Sequence, residues 1–341
     1  ILKTGHGVRG IGVYTRNLLE TINKLKIKNL KLKIEEYNPS VKDYILIHYP
    51  YFDLFYNTLP LIKKVKTVVT VHDVIPLVFP EHYPTAIKGF IKYQIQKFSL
   101  RGARAVITDS QNSKEDIFKY LNYPEEKISV VYLAPSEIYK QLRLTGSMIR
   151  TIRLKYQLPE KFVLYVGDIN YNKNIPALVR ACEKIQIPLV IVGKQALNRE
   201  IDRNHPENRD LVWIQDYRRN QVILTGFVPD NELAIIYNIA TVYCQPSFYE
   251  GFGIPVLEAM ACGCPVAVSY VSSLPEICGD AALLFDPYDY NDIADKLENV
   301  FHNSKLRENL VTKGFTQVKK FSWEKTARKT LEIYEQVVEE K

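Results

Sequence analysis

The chain has 341 residues, of which 46% are hydrophobic and 24% charged, and its formal net charge is +7. This composition excludes a generally disordered protein, and no run reaches the roughly 18 uncharged apolar residues of a membrane-spanning helix. The length predicts two domains. The five cysteines are too few for a disulfide scaffold, and their odd number favours a reducing compartment, so we expect a cytoplasmic protein.

Short β-branched runs alternate with helical patterns along the chain, and this alternation predicts doubly wound α/β domains. Most runs are continuously apolar, as expected for parallel strands covered on both faces. The predicted strands are Tyr44–Ile47, Val65–Val71, Ala105–Thr108, Lys127–Val131, Phe162–Val166, Leu189–Val192, Val222–Thr225, Thr241–Cys244 and Pro265–Ser269. The predicted helices are Tyr14–Ile22, Ala86–Ser99, Ile175–Ile185, Glu232–Asn238, Pro255–Ala261 and Trp323–Val338.

The strand pattern lapses between Pro135 and Leu158, where polar and basic residues dominate, and we predict the domain linker there. The predicted domains are residues 1–150 and 151–321, followed by a C-terminal helix over 322–341. Only Ile1 and Leu2 precede a glycine-rich segment, where a nucleotide-binding domain normally has its first strand. We therefore expect that this strand is truncated and that residues precede Ile1.

The glycine-rich segment Gly5–Gly10 matches the pattern G-x-G-x-x-G. A dinucleotide site also needs a preceding strand and an acidic residue about 20 positions later, whereas Glu35 and Glu36 come late for that role. Gly10-Ile11-Gly12 leads directly into a predicted helix, whose N-terminal amides suit a phosphate group. Phosphate binding and a plain tight turn both remain open for this segment.

His72 and Asp73 follow the clearest strand of the first half, Val65–Val71. Ligands bind at the carboxyl ends of strands in open α/β sheets, so this position favours a functional histidine. The alternative is a structural or surface residue without a special role.

The densest signal runs from Ser247 to Glu258, where a strand feeds a glycine-rich turn and Pro255 opens a helix. The amides of Gly253 and Ile254 and the helix dipole suit a diphosphate or sugar hydroxyls. Glu258 is placed in the first helical turn, where it accepts hydroxyl hydrogen bonds or merely compensates the dipole. Glu250 lies among aromatic residues, where a carboxylate needs partners.

No metal site is expected. Cys262, Cys264 and Cys278 are interpreted as buried small residues, because no second cysteine pair or histidine cluster completes a tetrahedral site. No D-x-D motif occurs in the sequence either, which fits a site that works without a metal ion.

The segment from Tyr249 to Val266 resembles the E-x7-E signature of retaining glycosyltransferases of family 4, which have the GT-B fold. The resemblance extends over nearly the whole chain. Its further motifs are Gly10–Thr15, Val71–Pro76, Tyr165–Gly167, Asn172–Asn174, Thr225–Val228, Leu274–Glu276 and Phe321–Trp323. It implies two Rossmann-like domains that face a central cleft, an acceptor-side domain followed by a donor domain, with the C-terminal helix packed back on the first.

The resemblance also implies a role for each matching residue. Glu258 would hold the donor ribose, Glu250 the donor sugar and Lys173 the diphosphate, while His72 would lie beside the transferred sugar and Phe227 beside the base. The implied catalytic residues are His72, Lys173 and Glu250. The implied donor-binding residues are Gly10, Ile11, Gly12, Gly167, Asn172, Lys173, Phe227, Glu250, Gly251, Phe252, Gly253, Ile254 and Glu258.

One departure from the family pattern concerns the phosphate clamp. Many members have an arginine and a further basic residue where this chain has Asp168 and Asn172, so Arg9 or Lys194 is a candidate substitute. Arg9 and Asp73 are also the candidates for acceptor binding. The implied reaction is metal-independent transfer of a hexose from a GDP- or UDP-linked donor, with retention, in cell-surface polysaccharide or glycolipid synthesis.

The charge is distributed unevenly. Residues 1–150 carry 23 Lys and Arg against 13 Asp and Glu, whereas residues 151–341 carry 22 against 25. The basic first half predicts contact with anionic lipid headgroups or a lipid-pyrophosphate acceptor at the inner face of the membrane, unless the lysines form a solvated surface. Nucleic acid is not an expected partner. Two other functions remain open: a non-catalytic GT-B binding subunit and a nicotinamide-dependent oxidoreductase.

Overall fold

A computed structural model describes residues 10–25, 43–217 and 221–340. The chain divides into two compact units. The first comprises the residues up to Pro80, then Pro84–Leu133 and the residues from Phe321, and the second comprises Glu81–Tyr83 and Ala134–Lys320.

The first unit contains a parallel four-stranded sheet in the order β1-β2-β3-β4. In chain order its elements are α1 Gly10–Lys24, β1 Leu46–Tyr49, β2 Lys66–Thr70, α2 Ile75–Val78, α3 Ile87–Leu100, β3 Ala105–Thr108, α4 Gln111–Asp116 and β4 Ile128–Val130. A π-helical turn, Ile117–Leu121, continues α4. All four residues of β3 are buried, as the continuous apolar run predicts for a central parallel strand.

The second unit contains a parallel six-stranded sheet in the order β10-β9-β8-β5-β6-β7. Its elements are α5 Gly146–Tyr156, β5 Val163–Val166, α6 Ile175–Lys184, β6 Leu189–Val192, α7 Arg209–Asp216, β7 Val222–Gly226, α8 Asp230–Ile239, β8 Val242–Gln245, α9 Ile254–Ala261, β9 Val266–Ser269, α10 Leu274–Cys278, β10 Leu283–Phe285, α11 Tyr290–His302 and α12 Ser304–Val318. The strands β6, β8 and β9 are buried along their whole length, so both faces of the sheet are covered at its centre.

The last helix, α13 Trp323–Glu339, belongs to the first unit. Ser322 caps it by accepting a hydrogen bond from the amide of Lys325. The helix packs on α1 and on β1, β2 and β3. Its buried residues recur at helical spacing and are Thr326, Ala327, Thr330, Leu331, Ile333, Tyr334 and Val337.

The α/β fold agrees with the sequence prediction, but two details differ. The segment predicted as a polar linker contains α5, which Thr145 caps and which packs on α8, so its polar residues are the solvent face of a helix. The predicted boundary at 150/151 therefore falls inside a helix of the second unit. The short strand β10 was not predicted, because three residues are too few to show a pattern.

The cysteines are all buried with free thiols. Within the described residues, no helix combines the length and the apolar character that crossing a membrane requires.

Candidate active site

The turn that begins after β8 carries the E-x7-E motif. It ends at Gly253, whose φ of 103° lies in the left-handed region that glycine adopts without strain. A Cβ atom at this position would also lie 3.0 Å from the side chain of Leu274. Gly251 and Phe252 are buried in the turn, and α9 begins at Ile254 with Pro255 in its first turn. Both observations indicate that the turn before α9 requires glycine at this position.

Glu250 is 6% exposed and forms an ion pair with Lys173. The Nζ atom of Lys173 lies 2.8 Å from both carboxylate oxygens. Gln245 and Ser247 each donate a further hydrogen bond of 2.6 Å to Oε1 of Glu250. The sequence predicted that a carboxylate in this aromatic segment would need hydrogen-bonding or charged partners, and Lys173, Gln245 and Ser247 are those partners. The two residues predicted to be catalytic in this unit are therefore direct neighbours.

The turn that carries Lys173 is fixed by the two asparagines beside it. The side-chain amide of Asn172 donates to the carbonyl of Tyr249 at 3.0 Å, and its oxygen accepts from the hydroxyl of Tyr83 at 2.6 Å. Asn174, at φ 53°, donates to the carbonyls of Pro246 and Pro287. Both atoms of the Asn172 amide are bonded to protein groups, so this residue positions Lys173.

Glu258 lies in the second turn of α9, so its predicted place in the first turn was wrong. The prediction began the helix at Pro255, whereas α9 begins one residue earlier, at Ile254, directly after its N-cap Gly253. Burial raises the pKa of Glu258 to about 8, although the hydroxyl of Tyr237, which donates to Oε2 at 3.1 Å, opposes this shift. The carboxyl group is therefore mostly protonated at neutral pH. Tyr237 was missed because its position in α8 shows only a core pattern.

Three glycines bring the carboxyl ends of β5, β6 and β7 close together. A Cβ atom on Gly193 would lie 2.2 Å from the carbonyl oxygen of Gly167, and the amide of Gly193 donates to the carbonyl of Gly226 at 3.1 Å. Phe227, predicted to border the base, follows Gly226 with its side chain mostly exposed. Lys194, the candidate substitute cation, is also exposed. No sequence motif singled out Gly193.

In the first unit, His72 follows β2 and pairs with Asp109, which follows the adjacent strand β3. The Nδ1 atom of His72 lies 2.7 Å from Oδ2 of Asp109. Burial lowers the pKa of His72, but the carboxylate of Asp109 outweighs this effect and the net pKa is raised. The Nε2 atom of His72 is buried as well, and a hydrogen bond to the backbone carbonyl of Pro50 contributes to raising the pKa of this histidine. Asp109 is a site residue that the sequence did not reveal.

Tyr14 packs edge-on against His72, with the ring centroids 4.9 Å apart. Asp73 turns back on its own chain, where Oδ1 accepts from the amide of Ile75 at 3.0 Å. His72 thus has its ring plane and its Nδ1 atom fixed by neighbours.

Gly10, Ile11 and Gly12 form the first turn of α1, so the helix begins four residues before its predicted start. Their amides are the ones that a helix leaves without an intrahelical acceptor. Arg9 and the rest of the G-x-G-x-x-G match lie outside the described residues, as do Glu35 and Glu36. The described chain contains no group of three or more side chains suited to holding a metal ion.

Two family models match this chain. The model for glycosyl transferases group 1 covers residues 149–317, and the model for glycosyltransferase family 4 covers residues 13–134. The second match includes His72 and the first includes the whole segment from Glu250 to Glu258.

Two named relatives come from Escherichia coli. O-antigen chain mannosyltransferase B is 32% identical over 303 residues, which are 86% of this chain and 74% of that protein. The serotype-specific mannosyltransferase WbdA is 30% identical over 279 residues, which are 80% of this chain. That match is 34% of WbdA, so the chain spans about a third of this longer relative.

A solved structure shares the fold. Sucrose-phosphate synthase from Thermosynechococcus elongatus matches 94% of this chain and 78% of its own, with a TM-score of 0.68 and 22% identity. Because both family models describe glycosyltransferases, the alternative function of a nicotinamide-dependent oxidoreductase was wrong. Together with the parallel sheets of the two units, they place the protein among the group 1 glycosyltransferases of family 4, enzymes of the GT-B fold that use nucleotide-sugar donors.

Proposed function

We propose that the protein transfers a hexose, with retention and without a metal ion, from a nucleoside diphosphate to a hydroxyl group. The observation that carries this proposal is the pair of Lys173 and Glu250 beside the first turn of α9. The pair joins a cation to a carboxylate that stands four residues before the free amides of α9 in the sequence, and these are the groups that a diphosphate and sugar hydroxyls require.

In this proposal the donor rearranges the ion pair. Lys173 turns its ammonium group to the diphosphate, and Glu250 accepts hydrogen bonds from the sugar hydroxyls in its place. The amides of Phe252, Gly253 and Ile254 contribute to holding the donor. Glu258 binds the ribose hydroxyls and gives up its proton as it does so, because accepting two hydroxyl hydrogen bonds favours the carboxylate.

The proposed chemistry breaks the bond between the anomeric carbon and the leaving diphosphate oxygen. The acceptor hydroxyl attacks from the same face, and its proton passes to the leaving oxygen. Lys173 stabilises the charge that develops on the diphosphate. The first unit binds the acceptor in this proposal, and its His72, held by Asp109, offers a polarised N–H group to a bound saccharide.

The proposed sugar is mannose, because the E. coli relative at 32% identity is named a mannosyltransferase. The proposed nucleotide is GDP or UDP, and the proposed acceptor is a growing glycan or a lipid-linked saccharide in polysaccharide synthesis. A lipid-linked acceptor lies in a membrane, so we also propose that the protein works in the cytoplasm and contacts the inner face of the membrane.

The test is a panel of GDP-, UDP- and ADP-sugars, scored first by thermal stabilisation of the full chain. One nucleotide class should raise the melting temperature, and that donor should then be hydrolysed slowly in the absence of acceptor. NMR of the transferred sugar reports whether the anomeric configuration is retained. Stabilisation without any cleavage would favour the non-catalytic binding subunit, and no stabilisation by any donor would refute the proposal.

A further inference from the structure

We infer that the first unit docks on an anionic lipid surface through the outer face of α3 and the neighbouring segment 56–64. We call these residues the α3 surface. Contact of the basic half with a membrane is part of the proposed function, and this inference assigns it to a defined surface. The test below separates it from glycosyl transfer.

The solvent face of α3 carries several large apolar side chains beside the exposed Lys88 and Gln94, whereas a surface helix usually exposes mainly polar residues. Ile87 is 81% exposed, and Phe90, Ile91 and Phe98 are each more than half exposed. Positions 87, 91 and 98 follow one side of the helix at its turn spacing. Toward the protein, α3 buries Gln96 and Ser99 together with one apolar residue, Leu100. Isolated exposed apolar residues are ordinary, but a row of them on one helix face marks an interaction surface.

The segment 56–64 is held against α3 by the buried Gln96. Its Oε1 atom accepts from the amide and the hydroxyl of Thr58, at 3.0 and 2.9 Å, and from the amide of Leu59 at 3.1 Å. This anchoring keeps Ile62, which is 78% exposed, in a chain segment that packs beside the helix. Nζ of Lys92 lies 5.1 Å from the centre of the exposed Tyr56 ring, which joins the two parts.

The two segments that contain these apolar side chains carry positive charges only. Residues 54–72 and 82–108 contain no Asp or Glu. Their basic residues are Lys63, Lys64, Lys66, Lys88, Lys92, Lys97, Arg101 and Arg104. The ammonium groups of Lys63, Lys66 and Lys97 bind oxygens of the protein itself. Lys88 is exposed and Lys92 lies over Tyr56, so these two lysines of α3 are the cations that would meet an anionic membrane and add to the attraction.

Lipid explains this combination better than a second copy of the chain. A symmetric dimer through the α3 surface would face one acid-free basic region with another, which repels. An interface of anionic headgroups and acyl chains instead accepts aliphatic and aromatic side chains and neutralises the lysines at the same time. The occupant to which we commit is therefore an anionic bilayer.

The experiment is flotation of the full chain with vesicles of phosphatidylcholine alone or with about 30% phosphatidylglycerol. We expect binding to the anionic vesicles only, weakened at roughly 0.5 M salt because screening shortens the reach of the lysines. The variant Ile87→Ser/Ile91→Ser should lose about tenfold or more in affinity, since it removes apolar side chains that would insert. Lys88→Gln/Lys92→Gln should weaken binding and flatten the salt dependence.

The matched control is Met148→Ser/Leu154→Ser on α5, another helix with exposed apolar residues, of which Leu154 is 71% exposed. It should bind vesicles as the unaltered chain does. Absence of anionic vesicle binding, or equal loss in both serine variants, would overturn the inference. The inference would also be overturned if sedimentation showed that the unaltered chain is a dimer and that, of the variants, only Ile87→Ser/Ile91→Ser is a monomer, because the α3 surface would then bind a second copy of the chain. Stabilisation by the donor nucleotide should be unchanged in every variant, so the transferase proposal stands or falls separately.

Discussion

Replacing Lys173 by methionine should destabilise the second unit, because it leaves the carboxylate of Glu250 without the cation that neutralises it. Removing one member of a buried ion pair costs about 3–5 kcal/mol. Glu250 keeps its 2.6 Å hydrogen bonds from Gln245 and Ser247, and the side chain of Lys173 is 21% exposed. Both facts place the loss at the lower end, so we expect about 3 kcal/mol for Lys173→Met.

A double-mutant cycle isolates the charge pairing from other effects. Glu250→Gln removes the negative charge with little change of shape, and in Lys173→Met/Glu250→Gln neither charge is left alone. The double variant should therefore be more stable than the sum of the single losses predicts, by about 1–2 kcal/mol. Strictly additive losses would refute the reasoning.

Urea unfolding measures these losses in the second unit alone. The chain has two tryptophans, Trp213 in α7 of the second unit and Trp323 at the start of α13 in the first. A Trp323→Phe background therefore makes fluorescence report on the second unit. Lys184→Met is the control, since Lys184 is 46% exposed, its ion pair with the exposed Asp295 is long at 3.9 Å, and its 2.9 Å hydrogen bond to Asn291 is exposed too. It should change the free energy of unfolding by less than about 0.5 kcal/mol.

The same substitution tests the proposed phosphate contact. Lys173→Met should lower the transfer rate at saturating donor about 10²-fold, comparable to losing one preorganised donor of about 3 kcal/mol. The rate is compared at a temperature where the variant remains folded. Turnover equal to that of the unaltered chain would refute the role of Lys173.

Three further variants test the other features of the site. Glu258→Gln should gain stability relative to the unaltered chain as the pH rises from about 5 to about 8. In the unaltered chain the folded state keeps the Glu258 proton to a higher pH than the unfolded state does, so its free energy of unfolding falls over this range, whereas glutamine has no such proton to lose. Urea unfolding at several pH values measures the difference. Asp109→Asn should lower the pKa of His72, which NMR titration of the imidazole detects. Gly193→Ala should destabilise by about 1–3 kcal/mol in urea, because its Cβ meets the Gly167 carbonyl.

Each of these predictions has its own contrary outcome. A stability difference for Glu258→Gln that does not vary with pH would mean that its carboxyl is not buried in its neutral form. An unchanged titration of His72 would remove Asp109 as the group that holds it. For Gly193→Ala the control is Gly146→Ala, where no atom lies within 4 Å of the added Cβ. Equal effects of the two alanines would contradict the close approach.

The strands were the most predictable part of the fold. Ala105–Thr108 and Leu189–Val192 coincide with β3 and β6, because central parallel strands are continuous apolar runs bounded by polar residues. The strand β10 escaped because three residues carry no period. The helix α5 was not predicted, because a helix that buries only Ile152 is as polar in composition as a linker.

Site residues on one short segment were easier to predict than partners distant in sequence. Glu250 lies in the turn that leads into α9 and Glu258 lies in α9 itself, so one short motif contains both. Lys173 is 77 residues from Glu250 in the sequence, and the ion pair of these two residues is seen only in the folded structure. Asp109 was invisible for a similar reason, since an aspartate after a strand is an ordinary turn residue. The roles of these residues in binding and transfer stay predictions.

The position of α13 constrains the order in which the protein can mature during synthesis. The ribosome releases Ala134–Lys320 before α13, although α13 belongs with the strands made first. The second sheet can close while the first still lacks the helix that covers β1, β2 and β3. Apolar surface of the first unit therefore stays uncovered until α13 has left the ribosome, and a stop codon before Phe321 would harm strands that were made long before it.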